Sequence, residues 1–376
     1  MDCITSNEAP EPVISNTLSN YLYEIKEELE KREKDWDIFK KYTNPYEYIN
    51  TQIPLKKKAV SKHKPLSRSY FKMIEIIHIF DLKFDSKSIT TFHLAEGPGG
   101  FIEAIANNRN CIEDKYIGMT ILDDNNDPNI PAWKKSENFL KHNKNVVIET
   151  GRDKTGNILS LENFEYCKNK YECSMDLITA DGGFDFSLDF NKQEINITKL
   201  LFAQMSFALV MQKKGGQFIL KIFDTFMQHS VDLLFILSSF YEKTYIIKPQ
   251  TSRYANSEKY IVCKNFLYSS TKEFYTILHK NFKKMMNIEN YIHRFISFPI
   301  PIFFVSKLEE YNAIIGQQQI ENIYYTISLI KNKNKQDKID NLIKINIQKC
   351  VSWCIKYNIP YYNLLNNTNI FLQGEP

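Results

Sequence analysis

The sequence predicts an α/β protein: a mostly parallel, seven-stranded sheet covered on both faces, with helical extensions at each end. Three observations carry that prediction. Seven short apolar runs occur at Thr91–Glu96, Tyr116–Ile121, Val146–Glu149, Asp176–Ala180, Gln217–Phe223, Thr244–Ile247 and Tyr260–Cys263. Most are separated by stretches of helical periodicity, such as Ile195–Lys213 and Met227–Phe240, and this alternation builds parallel sheets with helices on both faces. The last two runs lie too close for a helix between them, so they are expected to pair antiparallel.

Taken in order, residues up to about 15 read as a flexible tail, because Pro10 and Pro12 oppose regular structure. From Thr17 to about Tyr42, Leu18, Tyr21, Leu22, Ile25, Leu29 and Trp36 recur at helical spacing. Pro45 ends that stretch, and the basic segment to Lys64 reads as an exposed loop. The sheet-forming region follows. Beyond Phe266 the pattern turns to Lys-, Asn- and Ile-rich helical periodicity without Gly-rich turns. The expected organisation is an N-terminal tail and helical extension over 1–60, a sheet domain over 61–267 and a helical extension over 268–376.

With 43% hydrophobic residues in 376, a large core needs neither disulfides nor metals. The net charge of +4 permits a nucleic-acid partner without requiring one. The placement of charge is more telling: Lys56, Lys57, Lys58, Lys62, Lys64, Arg68 and Lys72 crowd one region, with His63 among them. Seven scattered cysteines argue for reduced thiols in an intracellular protein, expected in the cytoplasm rather than the nucleus. Cys350 and Cys354 share a helix face, but no second Cys or His pair completes a zinc site, so no metal is expected. The acidic N-terminus lacks the apolar core of a secretory signal, and no membrane span is expected.

The segment FHLAEGPGGF, Phe92 to Phe101, is the most informative short stretch. An apolar strand runs into Glu96, Gly97, Pro98, Gly99 and Gly100, and a helix begins near Phe101. Glycines there allow a sharp turn and a close ligand approach. The loop alone is ambiguous between cofactor binding and a tight packing turn, since it is neither GxGxxG nor a GK[ST] phosphate loop.

Four polar residues sit where packing alone would not put them. Lys72 follows SRSYF, Asp181 ends DLITAD, Lys221 interrupts the apolar run GGQFILKIF, and Glu258 opens EKYIVC. A lysine in a central strand is costly to bury unless it is paired or deprotonated. Singly, each residue reads as a surface ion pair. Together at strand ends on the cofactor side, they can deprotonate a weakly acidic hydroxyl. Lys221, its pKa lowered by Lys72 and by desolvation, would be the general base, with Asp181 and Glu258 orienting the amines.

These residues resemble the Lys-Asp-Lys-Glu tetrad of the FtsJ-type ribose 2′-O-methyltransferases, which act on RNA through a Rossmann-like fold that binds S-adenosylmethionine (SAM). Lys72, Asp181, Lys221 and Glu258 match in order, over roughly residues 60–267. The segments GMTILDDN from Gly118, GRDKTGNI from Gly151 and KPQTSRYANSEKYIVCKNF from Lys248 are similar to those of the cap-specific messenger RNA enzymes. The resemblance implies a capped transcript as substrate, and capping or transcription proteins as partners. It implies cofactor contacts from Glu96 to Phe101 and at Thr120, Asp153 and Asp181. The family often has a carboxylate where this chain has Asn157, so Asp153 takes that expectation. Lys64, Arg68 and Arg253 are expected to hold phosphates, as are Lys62 and Lys56–Lys58, for which a solvated basic loop is the equal alternative. Tyr70, Tyr254 and Trp133 are the candidates for base stacking. Ribosomal or transfer RNA as substrate and a non-catalytic RNA-binding subunit are the competing readings; a dehydrogenase is disfavoured by the absent GxGxxG.

Overall fold

The computed structural model describes residues 1–376 except 83, 85, 123–131, 184–190 and 363–376. In chain order the elements are β1 (Ile4–Ser6), α1 (Asn16–Glu30), α2 (Glu33–Thr43), α3 (Ser69–Ile79), β2 (Thr90–Leu94), α4 (Gly100–Arg109), β3 (Lys115–Met119), α5 (Glu137–His142), β4 (Val146–Ile148) and α6 (Leu161–Tyr171). They continue with β5 (Met175–Ala180), α7 (Gln193–Met211), β6 (Gln212–Ile222), α8 (Gln228–Phe240), β7 (Tyr241–Ile247), β8 (Lys259–Phe266), α9 (Tyr275–Met286), β9 (Tyr291–Arg294), α10 (Ile302–Lys331) and α11 (Gln336–Lys356).

All seven expected strands are present. They form one sheet in the order β4-β3-β2-β5-β6-β8-β7, parallel from β4 to β6, with β8 antiparallel to both β6 and β7. One face is covered by α6, α7, α8 and α9, through residues such as Phe164, Phe202, Phe207, Leu234 and Phe282. The opposite face packs Phe71, Ile74, Phe101, Ile105 and Trp353 from α3, α4 and α11. Helix α7 is largely apolar all round because it is buried on every side from Leu200 to Met211. By length and composition one helix among the described residues, the 19-residue α7, could cross a membrane, but 83% of its apolar window is buried in the protein, as in a core helix.

The first 15 residues differ from the expected flexible tail. Ile4–Ser6 pairs antiparallel with β9, and Cys3 is fully buried. The partner strand lies near residue 292, so local sequence offers no sign of the pairing. The single helical stretch expected over 17–42 is two helices, α1 and α2, packed on α10.

Strand register sets the functional end of the sheet. Leu94 of β2 lies opposite Ala180 of β5, and Ala180 lies opposite Leu220 of β6. Asp181 and Lys221 therefore emerge side by side, one residue past the same rung. Lys221 is in turn opposite Tyr260 of β8, so Glu258, two residues before Tyr260, points the same way.

Candidate active site

The turn after β2 is built for close approach. Gly97 and Pro98 are joined by a cis peptide bond, and Gly99 has φ +102°. A Cβ on Gly97 would lie 2.3 Å from the Ala132 carbonyl oxygen, so only glycine fits there. Gly100 begins α4, and the Phe101 amide donates to Glu96 Oε1, closing the first turn. Glu96 is almost completely buried, and its Oε2 has no hydrogen-bond partner among the described residues. Burial, followed by the Asp181 charge, pushes the Glu96 carboxyl well above the usual range. His93 Nδ1 lies 3.3 Å from that Oε2. Burial holds His93 down to about 3, so this contact is not an ion pair. A buried carboxyl raised by burial and by the neighbouring Asp181 charge makes a site suited to a cation.

Thr120 directly follows β3, with its methyl beside Gly97. Asp153 sits on the exposed loop after β4, where its Oδ1 accepts from the Thr155 amide, the Thr155 hydroxyl and Asn163 Nδ2. That carboxylate organises its own loop. Asp123–Asn125 of the GMTILDDN segment lie outside the described residues.

The structure brings Lys72, Asp181, Lys221 and Glu258 together as two ion pairs. Lys72 Nζ is 2.6 Å from Glu258 Oε1, and Lys221 Nζ is 3.2 Å from Asp181 Oδ1. These four side chains keep only 12–13% of their surface exposed. Lys221 also donates to the Asp181 carbonyl oxygen at 2.6 Å. Burial alone would raise Glu258, but Lys72 and then Lys221 override it and hold the carboxyl down to about 2. Lys72 is fixed through α3: one turn on, Glu75 accepts the Gln250 and Thr251 amides and clamps the helix to the β7–β8 connection.

Sequence reasoning missed several residues here. Tyr260 donates its hydroxyl to Asp181 Oδ1 at 2.9 Å and reaches Glu258 Oε1 at 3.5 Å, linking the two ion pairs. Ser252 donates to Glu258 Oε1 at 2.9 Å. Both lie in the quoted 248–266 segment, where the alternation EKY put Glu258 and Tyr260 on one face. Lys26 of α1 pairs with buried Asp224 at 2.8 Å, just beyond β6; no local signal announced that contact.

The expected RNA contacts fare differently. Tyr70 is only 4% exposed, packed against His63 and Phe71, and presents no face to a base. Its place in the apolar stripe of α3 explains the correction. Arg68 and Arg253 both spend their guanidinium groups on Glu47, which is fully buried. Burial would raise that carboxyl, but the two arginines hold it far below the usual range. Trp133 packs beside Gly99 and Gly118, under the turn after β2. Tyr254 is half-buried. Lys64 is exposed. Beside the tetrad opens a cavity of about 350 Å³, whose lining includes Trp36, Lys40, Gln193, Phe223 and Arg253. The Phe223 ring lies 5.9 Å from Lys221 Nζ, so the cavity adjoins the ion pairs. Among the described residues no group of three His, Cys, Asp or Glu side chains is placed to hold a metal.

Residues 65–266, more than half of the chain, match the FtsJ-like methyltransferase family. The chain is 28% identical to "Cap-specific mRNA (nucleoside-2'-O-)-methyltransferase 2" of Pongo abelii, over 88% of this chain and 44% of that protein. It is 32% identical to "Cap-specific mRNA (nucleoside-2'-O-)-methyltransferase 1" of Dictyostelium discoideum, over 61% of this chain and 32% of that protein. It thus spans less than half the length of these relatives. A ribosomal RNA methyltransferase structure from Plasmodium falciparum, described as putative, aligns with TM-score 0.38 and 23% identity, over 54% of this chain and 98% of that one. The match across the glycine turn, the tetrad strands and the final hairpin shows that the chain belongs to the FtsJ-like methyltransferases.

Proposed function

We propose that this protein transfers a methyl group from SAM to a ribose 2′-hydroxyl at the 5′ cap of messenger RNA. The observation that carries the reading is the pair of linked Lys–carboxylate contacts at the carboxyl ends of the strands, beside an open cavity.

The turn fits the cofactor. Glu96 offers a buried carboxyl oxygen with no partner, next to Asp181, and the Gly97 turn has no room for a Cβ. A ligand bearing an ammonium and a sulfonium would relieve the repulsion between these carboxyl groups. When bound, SAM supplies a methyl group on sulfur with a neutral thioether as leaving group.

The chain's own residues then manage one proton and one orientation. A neutral lysine amine has two N–H donors and one lone pair. Asp181 offers Lys221 two acceptors, its carbonyl oxygen at 2.6 Å and Oδ1 at 3.2 Å. With both N–H groups so engaged, the lone pair is left for the hydroxyl proton, and Lys221 acts as general base. Lys72, 2.6 Å from Glu258, fixes that carboxylate beside the reacting lysine. Tyr260 locks both carboxylates in register. The ribose oxygen, once deprotonated, displaces the thioether in line, and Lys221 returns its proton to solvent. The adjoining cavity, with Trp36 for stacking and Lys40 for phosphate charge, would take the 5′-terminal nucleotide.

The test is transfer of tritiated methyl from SAM to matched capped and uncapped RNAs, with nuclease mapping of the product. Label on capped RNA, at a ribose 2′-oxygen, supports the reading. Equal labelling of both RNAs would move the substrate to internal sites, and label on a base would overturn the mechanism.

A further inference from the structure

We propose that the basic loop between Leu55 and Lys64, together with Tyr362, forms a second RNA-binding surface that holds the body of the transcript outside the methylation site. The inference rests on the reading of the protein as an RNA methyltransferase.

From Thr51 to Ile74 the chain has no aspartate or glutamate, yet it carries Lys56, Lys57, Lys58, Lys62, Lys64, Arg68 and Lys72. A merely solvated face interleaves both signs. Lys57, Lys58, Lys62 and Lys64 are exposed. Their backbone is nonetheless held firmly. Val60 and Ser61 are buried, the Lys62 amide donates to the Pro360 carbonyl at 2.8 Å, and the Tyr362 amide donates to the Val60 carbonyl at 2.9 Å. Ser61 and Tyr361 form an antiparallel bridge. Residues Pro360 to Tyr362 are thereby stitched to this loop.

That stitching makes a specific platform. The Nζ atoms of Lys58 and Lys62 lie 5.1 and 5.6 Å from the centroid of the half-buried Tyr362 ring. An aromatic face flanked by amines suits single-stranded RNA, in which bases stack and phosphates seek cations in alternation. Leu55, fully exposed at the loop tip, adds an apolar contact. An acidic protein would use the lysines but has no need of the ring.

The platform is anchored to the active site. His63 Nε2 lies 3.0 Å from Glu103 Oε1, and the Leu66 amide donates to Glu103 Oε2 at 2.7 Å. Glu103 is in the first turn of α4, the helix that begins at the cofactor turn. Lys64 precedes Lys72 by eight residues, so their Cα atoms are at most about 27 Å apart. RNA seated at the tetrad thus passes within reach of the loop.

The experiment compares capped RNAs of about 4 and about 30 nucleotides, bracketing the usual 4–16-nucleotide site sizes, as substrates for the full chain. The variants are Lys57→Glu/Lys58→Glu/Lys62→Glu and, separately, Tyr362→Ala. On the long RNA each variant is expected to raise KM about tenfold. On the short RNA kcat and KM should stay within about twofold, since that RNA ends before the platform. The slope of log affinity against log salt should fall by about 2 in the triple variant, about 0.7 for each lost phosphate contact. Unchanged long-RNA KM, as an acidic protein ligand would give, overturns the proposal, as does equal loss on both RNAs. If wild type labels neither RNA, the methyltransferase reading fails. Direct binding of the long RNA to wild type and both variants then still decides whether the surface exists.

Discussion

Replacing Glu47 by glutamine should loosen the whole substrate-side wall of the protein. Glu47 lies in a 3₁₀ turn and is completely buried. Its Oε2 accepts from Arg68 Nη1 at 2.8 Å, Arg253 Nε at 3.0 Å and Asn44 Nδ2 at 2.8 Å; its Oε1 accepts from Arg253 Nη2 and the Thr51 hydroxyl. Glutamine turns one oxygen into a donor that faces other donors, and leaves two guanidinium groups without a counter-charge. Removing one partner of a buried pair costs about 3–5 kcal/mol. The arginines keep 20% and 34% of their surface, which places the loss near the lower end, about 3 kcal/mol. For a chain of this length that lowers the melting temperature by roughly 4 °C. The Glu47 carboxyl is held far below its unfolded value. Its stabilisation is therefore present above the unfolded pKa of about 4.3 and is lost as pH falls through the folded value. Differential scanning calorimetry of wild type and Glu47→Gln at neutral pH reads the difference directly, and the gap should narrow in strong acid. Equal melting temperatures at neutral pH would show that the arginines find water or other partners, and would refute the cost assigned to this carboxylate.

Tyr260→Phe removes the hydroxyl that joins Asp181 to Glu258. At about 1.5–3 kcal/mol for a charge-assisted hydrogen bond, kcat should fall roughly 10- to 100-fold with SAM affinity preserved; an unchanged kcat would contradict the linkage. Acid should destabilise the fold through two buried histidines, His93 held down to about 3 and His229 down to about 4, both chiefly by burial. Each keeps its full stabilisation above the unfolded value of about 6.5 and loses about 2 kcal/mol between pH 7 and 5. Urea titrations across that range should show a matching fall, and a flat profile would mean that one ring is already exposed or charged.

The seven strands and the antiparallel last pair were legible because the apolar runs are short, separate and punctuated by glycine or acidic residues. The four tetrad residues were legible for the opposite reason: Lys221 breaks its strand's pattern, and Asp181 and Glu258 stand at strand ends. What escaped was everything set by distant partners. Ile4–Ser6 is a strand only because β9 presents an edge to it. Arg68 and Arg253 read as phosphate ligands until Glu47, an ordinary glutamate by sequence, proved to be the acceptor for both. Tyr70 looked like a stacking residue beside basic neighbours, yet its position on α3 directs it into the core. Composition suggests an aromatic; only packing says which way it faces.

The central claim is that Lys221 removes the ribose proton and is not needed to hold SAM at the neighbouring glycine turn. The most direct measurement is single-turnover methyl transfer to capped RNA by wild type and Lys221→Met, with SAM affinity measured on both by calorimetry. The account predicts that the variant binds SAM within about threefold of wild type and loses about 10²- to 10⁴-fold in the chemical step, the range for a general base. A Lys221→Met enzyme that transfers methyl at the wild-type rate would contradict it.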